Sequence, residues 1–173
     1  MKKIASIILC AALLCSLLCV NVFAAEGKEF VSRESDWQYL EYENAGAEAP
    51  EGWETGKDEG SEWFDGTAPF GNSVNGSVIT PMSWDNFSCF MRKTFTIEDK
   101  DDVTMLGMNI IYDENPVVYL NGEAVWSASG YKDSGYTFVS LDDYMDCLVE
   151  GENYIIKVVG SKLVIKGGTD LAL

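Results

Sequence analysis

None of the 173 residues is histidine, which restricts the side chains that could do chemistry. Without an imidazole the chain has no Ser-His-Asp or Cys-His nucleophile, few routes to a catalytic zinc and no histidine-based pH switch. Carboxylates, thiols and aromatic faces remain. The 28 acidic residues would supply the two carboxylates a glycosidase needs, but no spacing singles out a pair, so catalysis is not expected. Hard oxygen ligands for a cation are plentiful at Asp99, Asp101, Asp102, Asp113, Glu114, Asp142, Asp143, Asp146 and Asp170. None stands in EF-hand spacing, and most read as a solvated acidic surface.

Sugar recognition needs an aromatic face for the apolar side of a pyranose and polar side chains that fork onto its hydroxyls. Trp126 and Tyr131, with Tyr136 behind them, flank the loop from Gly130 to Gly135. A second cluster, Trp84-Asp85-Asn86, stands just before an apolar run. Taken singly, each of these aromatics reads more readily as packing. As a group they point to a ligand. Cys89 and Cys147 are the cysteines left outside the apolar N-terminus, with no C-x-x-C between them. They are either one disulfide or two free thiols.

The elements that must position these residues begin after residue 25. Met1-Lys2-Lys3, the apolar run Ile4 to Val22 and the small residues Ala24-Ala25 have the layout of a secretory signal peptide. A membrane-spanning helix is the alternative, opposed by the acidic segment that follows and by the lack of a basic flank. A lipoprotein signal is disfavoured because Leu14 and Leu18, rather than small residues, precede Cys15 and Cys19. Cleavage would remove Lys2 and Lys3 and take the net charge from −16 to about −18, a surface that repels nucleic acid and anionic lipid. The expected product is secreted, with no membrane span after cleavage.

Residues 26–36 read as a flexible leader and 37–173 as one domain, a size that supports a single core. Trp37 to Tyr42 alternates as a first strand. Residues 43–86 are too long for an ordinary loop, and Trp53, Trp63, Phe64, Phe70 and Trp84 should pin this stretch onto the domain. Strands are expected at Phe87–Ile97, Val103–Tyr112, Pro116–Leu120, Glu123–Ser127, Thr137–Ser140 and Asn153–Val159, and a closing one within Leu163–Leu173. Asn121-Gly122 between two apolar runs marks a tight hairpin. Leu141, Tyr144, Met145 and Leu148 recur at helical spacing, predicting one short helix stopped by Gly151. Short strands punctuated by turns predict an all-β sandwich of two antiparallel sheets.

Several segments resemble the galactose-binding-domain-like β-sandwiches, a jelly-roll superfamily of accessory modules in secreted bacterial proteins. They are Glu62-Trp63-Phe64-Asp65-Gly66-Thr67-Ala68-Pro69-Phe70-Gly71, Phe90-Met91-Arg92-Lys93-Thr94-Phe95-Thr96-Ile97, Val118-Tyr119-Leu120-Asn121-Gly122-Glu123-Ala124-Val125, Gly151-Glu152-Asn153 and Thr169-Asp170-Leu171-Ala172-Leu173. The chain departs at Tyr112-Asp113-Glu114-Asn115-Pro116, where the group often carries Tyr-Asp-Asp-Gly. The resemblance implies a jelly roll that binds an extracellular glycan without catalysis, or alternatively a structural or protein-interaction domain whose partner is another extracellular protein. It also implies a structural Ca2+, for which Asp113 and Asp170 are the chosen ligands. Fold alone does not decide among these roles.

Overall fold

The computed structural model describes residues 27–43, 47–56, 62–71, 78–82, 88–112, 115–130, 132–160 and 170–172. The expected signal segment, residues 1–25, lies outside them. No helix among the described residues is long and apolar enough to cross a membrane.

Among the described residues twelve strands run in chain order: β1 (Glu29–Val31), β2 (Asp36–Tyr42), β3 (Phe64–Thr67), β4 (Phe70–Gly71), β5 (Thr80–Pro81), β6 (Ser88–Ile97), β7 (Gly107–Tyr112), β8 (Val117–Leu120), β9 (Glu123–Ser127), β10 (Lys132–Ser140), β11 (Gly151–Gly160) and β12 (Asp170–Ala172). An antiparallel sheet of six has the order β3-β2-β6-β11-β8-β9, and one of four has the order β1-β12-β7-β10. From β6 onward the chain crosses repeatedly between them, with only β8 and β9 staying together as a hairpin. Side chains alternate faces along a strand, so each sheet turns one apolar row inward. Trp37, Met91, Phe95, Val118, Leu120 and Ile155 of the large sheet form a common core with Val31, Met108 and Ile110 of the small one. The fold is therefore the expected all-β sandwich.

The tight hairpin is present. Asn121 (φ 50°) and Gly122 (φ 90°) both adopt the positive φ that a two-residue turn requires. Asn115, standing where the resembled group has glycine, also takes a positive φ (48°). It clasps Gly130 through both its backbone N–H (3.1 Å) and its side-chain oxygen (3.0 Å). Asparagine is among the few residues that tolerate this conformation.

Two expectations need correction. The helix of residues 141–148 is a 3-10 turn, Asp142–Cys147, closed by i to i−3 bonds such as Tyr144 N–H to Leu141 O at 2.9 Å. The apolar spacing instead serves to bury Leu141 and Leu148 at its ends. The leader 26–36 contributes to the fold: β1 pairs with β12, Val31 is fully buried, and Phe30 packs on Phe95 with centroids 5.3 Å apart.

Cys89 and Cys147 are free thiols, not a disulfide. Cys89 sits opposite Val159, whereas Cys147 ends the turn leading to Gly151 at the far end of the same strand. Eight residues of β11, about 26 Å of strand, separate those ends, far beyond the Cα spacing that a disulfide tolerates. Burial, then the nearby Glu123 and Asp146, push the Cys147 thiol above its ordinary value and keep it protonated.

Asp142 fixes the entry to the 3-10 turn. Its carboxylate accepts the Leu106 N–H at 2.7 Å and the Ser140 hydroxyl at 2.8 Å. The Leu106 bond, followed by that of Ser140, holds this carboxyl below the ordinary 3.8. Because the folded-state pKa is depressed, its contribution to stability is present above the unfolded value and is lost as pH falls through the folded one. Wild type should therefore lose stability in acid below about pH 4, and Asp142→Ala should flatten part of that slope. Urea midpoints measured across pH 2–6 check it; identical slopes would refute the assignment.

Candidate functional site

The outward face of the six-stranded sheet carries two features side by side. The first is an aromatic cluster. By alternation Leu40, Phe90 and Tyr119 point away from the core, and a 3-10 turn, Trp53–Thr55, lays Trp53 on them. The Trp53 ring meets Phe90 edge-on at 4.9 Å and Tyr119 at 5.9 Å. Tyr42, Ala49 and Trp63 pack around this group. The aromatics of the long segment thus pin it to the sheet, as their number suggested.

Phe70 is pinned differently: it is buried in the main core and packs edge-on against Tyr39 at 5.4 Å. Gly66 makes that possible. A Cβ there would lie 2.7 Å from the Phe70 ring and 2.9 Å from Thr80.

The second feature is a cleft of about 310 Å³ beside the cluster, at the lower end of the size range of small-molecule sites. Asp36 and Gln38 come from β2, Asp65 from β3, Arg92 and Lys93 from β6, and Tyr154 from β11, with Gly56 at the end of the Trp53 turn. Antiparallel register places Gln38 opposite Asp65 on one side and Arg92 on the other. A polar chain crosses three strands in consequence. Arg92 Nε donates to Gln38 Oε1 at 2.9 Å, and Gln38 Nε2 donates to Asp65 at 3.4 Å. The Arg92 guanidinium also lies over the Trp63 indole at 4.0 Å, a cation–π contact. Asp36 accepts the Thr67 hydroxyl at 2.7 Å, and Lys93 Nζ donates to the Asp36 carbonyl at 2.7 Å.

Burial lowers the Lys93 pKa from 10.5, opposed in part by the Asp36 carboxylate. Tyr154 donates its hydroxyl to Glu152, and that bond is the main cause of its raised pKa. The arrangement offers charged and amide groups in fixed orientation beside an aromatic wall, which is chemistry suited to holding a polyhydroxylated molecule.

The residues chosen from sequence are not the ones that line this cleft. Trp126 is half-buried, packs against the core and meets Tyr112 edge-on at 5.3 Å. Tyr136 is half-buried on β10, with the Arg33 guanidinium 5.4 Å from its ring. Each thus has a partner of its own, Tyr112 for Trp126 and Arg33 for Tyr136. Trp84, Tyr131 and Asp113 lie outside the described residues. Asp170 stands in β12 opposite Asn109, and its side chain lies outside the description. Among the described residues, no three cysteine or acidic side chains converge as metal ligands. The signal that could have found the cleft was a polar face recurring on three separate strands: Asp36 and Gln38, Arg92 and Thr94, Glu152 and Tyr154.

No family model and no curated protein matches the chain. Solved structures do match in fold. A Bifidobacterium dentium β-glucuronidase complexed with coumarin-3-O-glucuronide aligns with a TM-score of 0.54 and 16% identity, over 79% of this chain and 20% of that one. A β-glycosidase from Bacteroides vulgatus aligns at 0.55 and 18%, over 84% and 20%. A calcium-binding mutant of Bacteroides uniformis β-glucuronidase 2 aligns at 0.57 and 10%, over 86% and 18%. The chain thus has the fold of a β-rich region found in large glycosidases, and spans about a fifth of their length.

Proposed function

We propose that this is an exported, non-catalytic carbohydrate-binding module of the galactose-binding-like type, with its sugar site in the cleft over β3, β2, β6 and β11. The polar chain Asp65–Gln38–Arg92, held against Trp63 and walled by Tyr154, carries the reading. The kinship of fold with a region of glycosidases supports a carbohydrate-related role. Export rests on the layout of residues 1–25. A structural calcium at Asp113 and Asp170 belongs to the same reading, on the strength of their hard carboxylate oxygens.

The test is a glycan microarray followed by titration of the selected glycan, with calcium and with chelator. Arg92→Ala should weaken binding by about tenfold or more, roughly the 1.4 kcal/mol that one charge-assisted contact is worth. Trp126→Ala should lower stability and leave affinity within about twofold. A blank array from folded protein would turn the reading toward a structural or protein-binding domain. Binding that survives chelator would remove calcium from the site.

A further inference from the structure

We infer that the outward face of the four-stranded sheet, centred on Phe138, docks a basic segment of another protein that brings an apolar side chain with it. Along β7, Met108 and Ile110 point into the core, so Gly107 and Asn109 point outward. Register sets Phe138 of β10 opposite Asn109, on that same outward side. The Phe138 side chain is 56% exposed and yet has a fixed seat. A Cβ on Gly107 would lie 2.5 Å from its Cζ and 2.6 Å from its Cε2, so the ring lies down across the bare glycine. Met105, half exposed, stands two residues before Gly107. Covering these two side chains would remove apolar surface from water, the main driving force of protein association.

The surroundings set the charge of the partner. Two 3-10 turns border this face: Lys100–Asp102 leads toward Met105, and Asp142–Cys147 follows β10. Two bonds join them to it and to each other. Asp142 accepts the Leu106 N–H at 2.7 Å, and Lys100 Nζ donates to the Asp146 carbonyl at 3.4 Å. Asp101, Asp102, Asp142, Asp143 and Asp146 are exposed on these turns, against the single base Lys100. Among the described residues these carboxylates do not converge as metal ligands; they form a rim of one sign. An apolar centre inside a polar rim has the anatomy of a protein interface, and a negative rim favours a partner with lysine or arginine around its apolar plug. A glycan would need polar groups forked onto its hydroxyls. Here the Ser140 hydroxyl is spent on Asp142 at 2.8 Å, and Met105 is a flexible apolar side chain of the kind that adapts to varied protein surfaces. The cleft lies on the outward face of the other sheet, so a ligand there does not obstruct a protein docked on Phe138.

The test is fluorescence anisotropy with the full chain and three labelled synthetic peptides. One alternates lysine with leucine and tryptophan, one contains lysine alone, and one has glutamate in place of each lysine of the first. The first should bind at least about tenfold more tightly than the other two, and its affinity should fall as salt rises. Phe138→Thr should weaken it by about tenfold, and Asp102→Asn combined with Asp143→Asn should weaken it several-fold. Ile79→Gln, which removes an exposed apolar side chain beside Pro69, should leave it unchanged. Failure of the first peptide to bind, by protein with a normal thermal melt, would overturn the docking surface. Equal binding of all three peptides, or binding indifferent to Phe138→Thr, would overturn it as well. A glycan whose binding is lost in Phe138→Thr and kept in Arg92→Ala would make this face a sugar platform and overturn both the docking surface and the cleft as sugar site.

Discussion

Replacing Asn153 by leucine is expected to lower the free energy of unfolding by more than about 3 kcal/mol, although the side chain touches neither the cleft nor the surface. Asn153 is fully buried on β11, opposite Phe95. Its oxygen accepts the Val149 N–H at 2.9 Å and the Asn121 side-chain N–H at 2.8 Å. Its nitrogen donates to the carbonyls of Val149 at 2.8 Å and Gly151 at 3.1 Å. All four groups lose a partner when the amide is removed, and because they are only part-buried each costs about 1 kcal/mol, the low end of the range for an unpaired polar group. Asn121 completes the network by donating to the Cys147 carbonyl and accepting the Tyr154 N–H at 2.7 Å. The pair thereby ties the β8–β9 hairpin to the loop that enters β11. Urea denaturation should show a lower midpoint with an unchanged slope, and a melting temperature at least about 6 °C lower. A loss under 1 kcal/mol would mean that the loop re-forms these bonds without the asparagine.

Local chemistry made much of this fold legible, and pairings between distant segments supplied the rest. Asn121-Gly122 announces its own turn because the backbone there needs positive φ, a demand set by two adjacent residues. The strands around it follow from the alternation of Val118 and Leu120 with Tyr119. What the sequence could not show is that Asn121 and Asn153, in two separate segments, form one hydrogen-bonded unit. Val31 was missed for the same reason. A three-residue strand among Lys28, Glu29 and Arg33 has no periodicity to read, and it becomes core only because β12 lies beside it. The Cys89–Cys147 question turned on register, which places the two thiols toward opposite ends of β11.

The cleft carries a different cue from the one that singled out the aromatics. Tryptophan and tyrosine near a glycine-rich loop drew the choice to Trp126 and Tyr136, yet an aromatic with one polar end is equally good packing material. The cleft is built instead from Asp36, Gln38, Asp65 and Arg92, which in linear sequence look like the solvent face of ordinary strands. Only the pairing of Gln38 with Asp65 on one side and Arg92 on the other makes them a group.

Gly56→Ala is expected to destabilise the domain by about 2–4 kcal/mol and to deform the cleft, through two separable effects. The first is backbone strain. Gly56 closes the Trp53 turn with φ +67°, its N–H bonded to the Trp53 carbonyl at 3.0 Å, and a residue with a Cβ pays about 1–2 kcal/mol to hold that conformation. The second is collision. An added Cβ would lie 2.1 Å from Tyr154 Cε1 and 2.6 Å from Cδ1, so the ring must move. Because Tyr154 walls the cleft and Trp53 anchors the cover to Phe90 and Tyr119, stability and binding should fall together. A double-mutant cycle separates the causes. In a Tyr154→Ala background the collision is absent, and Gly56→Ala should then cost only the strain of about 1–2 kcal/mol. Equal costs in both backgrounds would show that the tyrosine swings away freely, and the aromatic wall would then be no fixed part of the site.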